Sequence, residues 1–264
     1  MTPQQLLENE AQNDEAVVTE LDISHLVIED DTPVDNFQSE EQQRLLVEPL
    51  YSSSAVPRPF LAAANVGLFY KLHGEPIVPD ALLSLGVQRA ADYSERRHRS
   101  YFVWEFGKVP EVCIEIVSNR EGNEIILSAK AQREKKTQSK KDIYAQIGVP
   151  YYVVFDPLQQ LSGPEEMGGA LLRVWSLNAG EYEELTSSQG VVEVGQSVWL
   201  DRVGVGLTLW EGVFEDEVPH LWLRWCDRDG QVIATGAERA DIEQQRADRL
   251  AARLREMGVD PDAI

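Results

Sequence analysis

An α/β fold is what this sequence predicts: a mixed core sheet with antiparallel strands added to it and a helix at its end. Three observations carry that reading. The apolar strand "VPEVCIEIVSN" (109–119) is followed by a helical stretch and then at once by a second apolar strand, "YYVVFD" (151–156). Beyond it, short strand patterns alternate with glycine-containing turns, which points to antiparallel pairing. The segment 236–257 reads as a single helix, ended by Gly258 with Pro261 beyond.

The elements are justified in order as follows. Residues 1–38 are acidic and lack sustained periodicity, which predicts a disordered arm. A helix begins near Ser39, where "SEEQQRLLVEPL" offers an N-cap serine, then glutamates, then apolar residues. Strand-like stretches cover 60–72 and 77–87, and a polar, basic connection ends in "ERRHRS". "YFVWEF" (101–106) is a further strand, joined through a Gly-Lys turn to 109–119. From Ile125 to Ile147 the pattern is helical, closed by Gly148 and Pro150. After 156 come "ALLRVWSL", "EYEELT", "VVEV", "SVWLDRVGVGLTLW" and "HLWLRWCD". The expected organisation is an arm (1–38), a main domain (39–235) and a helical tail (236–264).

Composition narrows the function classes. The net charge is −21, and thirteen acids against one arginine place −12 of it in residues 1–50, leaving −9 for the rest. Nucleic acid is disfavoured by that balance but not excluded, since phosphate binding draws on Lys and Arg. No apolar run approaches the ~20 residues of a membrane helix, and the N-terminus lacks the pattern of a signal peptide, so a cytoplasmic protein without membrane contact is expected. Cys113 and Cys226 read as free buried thiols, and four scattered histidines give no zinc spacing. Ser118 lacks the Gly-x-Ser-x-Gly surroundings of a serine nucleophile. "RRHR" at 96–99 is either a grip on a phosphate backbone or a solvated turn, and the six tryptophans read as packing residues.

One residue does not fit a purely apolar core. Val112, Ile114 and Ile116 alternate onto one face of the strand, and Glu111, Cys113, Glu115 and Val117 onto the other. A lone buried carboxylate costs several kcal/mol, roughly, unless a cation or donors meet it. Glu115 therefore needs a partner. Two further features converge with it: Asp80, in a Pro-Asp pair opening the apolar "ALLSLGV", and the basic helix after Glu115, where Lys136, Lys140 and Tyr144 share a face. Two carboxylates and a lysine can hold a hard divalent cation and activate water toward a phosphodiester. Each residue also has a plain alternative: a turn-starting aspartate, an edge-strand glutamate, a solvated helical lysine.

An ordered set of motifs resembles a known family. "VPDALLSLGV", "YFVWEFGKVPEVCIEIVSN" and "KKDIYAQIGVPYYVVFDP" follow one another as in the Uma-two family, which is placed among PD-(D/E)XK nuclease-like, restriction-endonuclease-like proteins. The resemblance spans roughly residues 40–260. It implies a mixed sheet flanked by helices, Mg²⁺-dependent cleavage of DNA (Mn²⁺ as substitute), and an acid–acid–lysine site. Asp80 and Glu115 match the metal-holding acids. Val117 stands where the wider superfamily has its lysine, and Lys140, four residues before Tyr144, matches the lysine in this family. Glu111, Lys136 and Tyr144 are auxiliary candidates. Two departures stand out: the second Pro-Asp motif is Pro110-Glu111, and the usual Ser-Pro after the strand is Ser118-Asn119. A helical acid, Glu41 or Glu48, is also expected from some relatives.

The tail repeats Ala240, Ala247 and Leu254, and Glu243, Leu250 and Met257, every seven residues, a coiled-coil-like seam. It either packs back on the domain or pairs two chains through residues 237–257. The leading expectation is a Mg²⁺-dependent endonuclease; the alternative is an inactive binding or scaffolding protein on the same fold.

Overall fold

The computed structural model describes residues 22–26, 36–120, 122–127, 132–133, 138–186, 192–215 and 218–261. Helix α1 (Phe37–Ser52) is capped three residues before the expected serine, by Asn36, which accepts the Ser39 N–H at 2.9 Å. Strands β1 (Phe60–Ala64) and β2 (Leu68–Phe69) share the single stretch expected over 60–72, broken at Asn65, whose φ is 52°. Next come β3 (Ala81–Leu85) and β4 (Tyr101–Phe102). Val103–Phe106, expected to continue that strand, is instead a helical turn, α2, ended by left-handed Gly107. Tyr101 and Phe102 pair with Leu68 and Phe69 alone, so nothing holds the following residues extended.

Strand β5 (Val112–Ile116) carries Glu115. Of the helix expected over 125–147, α3 (Lys140–Ile147) and residues 132–133 are helical, whereas 122–127 are not. Ser139 caps α3, exchanging hydrogen bonds with Asp142 in a capping box, and Gly148 closes it with φ 88°. Strands β6 (Tyr151–Phe155), β7 (Leu172–Asn178) and β8 (Glu181–Glu184) follow. The long apolar stretch at 197–210 divides into β9 (Ser197–Leu200) and β10 (Val205–Val213), and β11 (Pro219–Cys226) pairs with β10. Of "VVEV", the described residues 192–194 make no strand, only a Val194–Leu209 bridge.

The core sheet has the order β1-β3-β5-β6-β7-β8, parallel between β5 and β6 and antiparallel elsewhere. β9–β11 are not a continuation of it. They form a separate antiparallel sheet whose Leu207, Leu209, Leu223 and Trp225 join Val112, Ile114 and Ile116 in one apolar cluster with Leu46 and Leu50 of α1. The opposite face of the core sheet packs Cys113, Val117, Leu61, Ala63, Tyr144 and Tyr152 together. Both faces of β5 are thus covered, which is why the strand reads as nearly continuous apolar sequence. The edge strand β1 is blunted by Tyr51, whose hydroxyl accepts from Ala62 N–H (2.9 Å) and donates to Ala62 C=O (3.0 Å).

Polar side chains fasten the second sheet to the two long helices. Gln42, fully buried, pairs its amide with both backbone groups of Leu223 (2.8 and 2.9 Å), as a neighbouring strand would. Buried Arg224 bonds Glu238 (2.7 Å) and lies 4.8 Å from the Trp210 ring. Replacing Arg224 with Ala should cost about 3 kcal/mol, since it empties a packed site and leaves a partly buried carboxylate without its cation. Chemical denaturation reads that loss.

Within the expected arm, Asp22–Leu26 are described: Leu26 is buried against Phe69 and Phe102. Helix α4 (Gly236–Glu256) is fixed by its first turn, where Thr235 and Glu238 form a capping box and Gly236 N–H meets Glu48 at 3.0 Å. Beyond that turn Ile242, Leu250 and Met257 are more than half exposed, at 53, 58 and 69%. No helix among the described residues is long and apolar enough to cross a membrane.

Candidate active site

Strand register assembles the acids. β3 and β5 run antiparallel with Ala81 opposite Ile114 and Leu82 opposite Cys113, so one step further Asp80 stands across from Glu115. Side chains alternate along both strands, and these two fall on the same face. The Asp80 carboxylate accepts the Ile116 N–H at 2.6 Å, which ties it to the neighbouring strand.

The cation comes from α3. Lys140 occupies its first position; its own N–H and that of Lys141 donate to the carbonyls of Asn123 (2.7 Å) and Glu124 (3.0 Å), satisfying helix-end donors. One turn apart, Lys140 and Tyr144 reach the same carboxylate: Lys140 Nζ donates to Glu115 Oε2 at 2.6 Å and the Tyr144 hydroxyl to Oε1 at 2.7 Å. Glu115 is 1% exposed, and these two donors are what meets it in the core.

The electrostatics are strained in one direction. Burial pushes the Glu115 carboxyl up; Lys140 pulls it down, the charge of Asp80 raises it again, and it settles at about 7. Burial alone would depress the Lys140 ammonium, yet Glu115, then Glu124 and Asp80, hold it above its ordinary value. Tyr144 is raised well above 10 by burial and then by Glu115, so its hydroxyl stays a donor.

Not every expected residue joins. Glu111 lies four residues back along β5, about 13 Å at strand rise. Its carboxylate accepts from Leu85 N–H (2.8 Å) and pairs with Lys108, an arrangement that fastens β5 to β3 rather than reaching Asp80. Lys136 lies outside the described residues. The helical acids also fall elsewhere: Glu48 holds the start of α4, and the α1 residue at the site is Gln43, donating to Asp80 Oδ1 at 3.0 Å. At about 100° per residue, Glu41 and Glu48 are turned roughly 160° and 140° away from Gln43. The signal was the pair Gln42-Gln43, two amides interrupting an apolar helix face. A second missed neighbour is Glu124, 3.9 Å from Lys140.

Among the described residues no group of three or more His, Cys, Asp or Glu is gathered for a metal. Soft-metal cages are therefore out of reach of this cluster, whereas Mg²⁺ keeps several waters and is served by one or two carboxylates. The charge on the pair argues the same way: a carboxylate raised to about 7, partly by a second carboxylate, is a site that a divalent cation would relieve.

A mixed α/β architecture of this kind, with antiparallel strands added to the core sheet and a helix at its end, is restriction-endonuclease-like. The model of the Uma2 family, described as "Putative restriction endonuclease", matches residues 19–200, and the chain belongs to that family. No curated protein and no solved structure matches the chain.

Proposed function

We propose that this chain is a metal-dependent endonuclease that hydrolyses DNA phosphodiester bonds with Mg²⁺, or Mn²⁺ in its place. The observation that carries the reading is the convergence of Asp80, Glu115 and Lys140, from three separate stretches of the chain, around the buried Glu115 carboxylate. Asp80 and Glu115 would hold the cation, which, when bound, lowers the pKa of its water and offsets charge growing on a phosphoryl oxygen. Lys140 places a positive charge beside Glu115, where it orients the attacking water and offsets phosphate charge. Tyr144 fixes the Glu115 carboxylate from the other side, and Gln43 does the same for Asp80. Pairing of two chains through residues 237–257 belongs to the same reading, supported by the exposed seam of α4.

The second reading, an inactive binding or scaffolding protein, is favoured by the acidic balance of the chain. Purified protein incubated with single- and double-stranded DNA, with Mg²⁺, Mn²⁺ or chelator, separates the two. Metal-dependent cleavage lost in Asp80→Ala and Lys140→Ala is the expected result. Cleavage surviving in both variants would mean other residues do the chemistry, and a parent with neither cleavage nor metal binding would be a scaffold.

A further inference from the structure

A second set of side chains, outside the acid–lysine cluster, is arranged around a hollow on the same face of the core sheet. A cavity of about 330 Å³ is lined by Arg89, Tyr93, His98, Arg99, Tyr101 and Phe106, together with β1 residues Leu61 and Ala63. Leu61 and Ala63 pack in the same cluster as Cys113 and Val117, so the cavity is on the face of the sheet that bears Glu115. A second hollow of about 300 Å³ shares Ala63, Val66 and Arg89 with the first and includes Gln43, the residue bonded to Asp80. Together they make one trough along the edge strand. Leu61 pairs with Ser84, four residues from Asp80 along β3, so the trough extends about 13 Å from the acid at ordinary strand rise. Roughly two to four nucleotides would span that distance.

The lining suits a phosphate followed by a base. Arg89 is exposed and makes no ion pair or hydrogen bond among the described residues, although the chain carries a net charge of −21. Tyr93 is 50% exposed, an aromatic ring on an otherwise polar loop. The loop beneath it is built rather than slack: Arg99 donates to the carbonyls of Tyr93 and Ser94, both at 2.9 Å, and His98 Nδ1 donates to Asp92 C=O at 2.6 Å. Asp92 in turn accepts the Ser94 N–H at 2.7 Å, and Arg96 anchors the segment on Leu26 C=O.

We infer that this trough holds single-stranded nucleic acid, with a phosphate at Arg89 and a base stacked on Tyr93, and feeds the strand toward Asp80 and Glu115. The inference rests on the hydrolase reading for its purpose, though not for its test. An acidic body disfavours a duplex, whose binding depends on neutralising many phosphates. A hollow with few cations and an aromatic ring fits a single strand, where stacking is indifferent to base identity and supplements the charge.

The test is fluorescence anisotropy of the full chain in EDTA, with labelled oligo-dT of about ten nucleotides and a duplex of the same length. Tighter binding of the single strand is expected. Arg89→Glu should weaken it at least ~10-fold, Tyr93→Ala by ~5–10-fold, and Tyr93→Phe should leave it nearly unchanged, because a phenyl ring still stacks. Arg89→Ala should lower the slope of log affinity against log salt by about 0.7, the share of one phosphate. Both residues are exposed, and unchanged melting temperatures would confirm intact folding. A duplex bound as tightly as the single strand would overturn the inference, as would affinity unmoved by both Arg89→Glu and Tyr93→Ala. Binding in EDTA with no cleavage once Mg²⁺ or Mn²⁺ is supplied would remove the hydrolase reading and leave the trough standing; metal-dependent cleavage without this binding pattern would do the reverse.

Discussion

Glu115→Gln should abolish metal-dependent cleavage and, at the same time, remove a pH dependence from the protein's stability. The native carboxyl sits at about 7 against an ordinary 4.5, so the folded chain holds this proton more tightly than the unfolded one. A raised group contributes stability that is complete below its unfolded value and lost as pH rises through its folded value. The parent should therefore lose stability relative to Glu115→Gln between about pH 4.5 and 7. Each pH unit across that window is worth about 1.4 kcal/mol, so the loss amounts to a few kcal/mol. Divalent cation should restore that loss above about pH 7 in the parent alone, since only an ionised Glu115 can ligate it. Urea denaturation across this range, with and without Mg²⁺, measures both effects. Parallel curves for parent and variant would show that Glu115 titrates normally.

Lys140→Ala carries the second large effect, and it separates chemistry from metal binding. Cleavage should fall by about 10²–10³, the cost of removing one preorganised charge-stabilising group. Metal binding should survive, with its pH midpoint moved upward, because Lys140 is the foremost influence holding the Glu115 carboxyl down. The neighbouring Lys141, whose ammonium lies 4.9 Å from the Trp175 ring, provides the control. Lys141→Ala should leave the midpoint where it is. A Lys140→Ala protein that cleaves normally would return this lysine to a purely structural role, compensating a buried acid.

The centre of the site was legible because burial and charge are written locally. An apolar strand interrupted by Glu115 demands a counter-charge, and the i, i+4 spacing of Lys140 and Tyr144 supplies two donors from one helix face. Asp80 was suggested by its position before an apolar strand, but only strand register sets it opposite Glu115. Register depends on which strands pair, and composition does not encode that directly.

What the residues hid has a common cause. Gln43 reaches Asp80 only because α1 docks on β11 through Gln42, a contact between residues 181 apart in sequence. Glu111 shares a face with Glu115 and looked like its equal, yet its length of strand brings it to Lys108 and the Leu85 N–H. Aromatic "YFVWEF" suits strand and helix alike, and its short pairing with β2 decided between them. The shortened α3 had a visible marker in Ser139-Lys140-Lys141-Asp142, a capping-box spacing that a long periodic pattern concealed.

The most direct measurement is Mn²⁺ binding to the purified chain, followed by its electron paramagnetic resonance signal at about pH 8, where Glu115 is ionised. A single bound Mn²⁺, displaced by Mg²⁺ and lost in both Asp80→Asn and Glu115→Gln, is the predicted result. Absence of binding at millimolar metal, or binding that both variants retain, would contradict an acid pair built to hold a divalent cation.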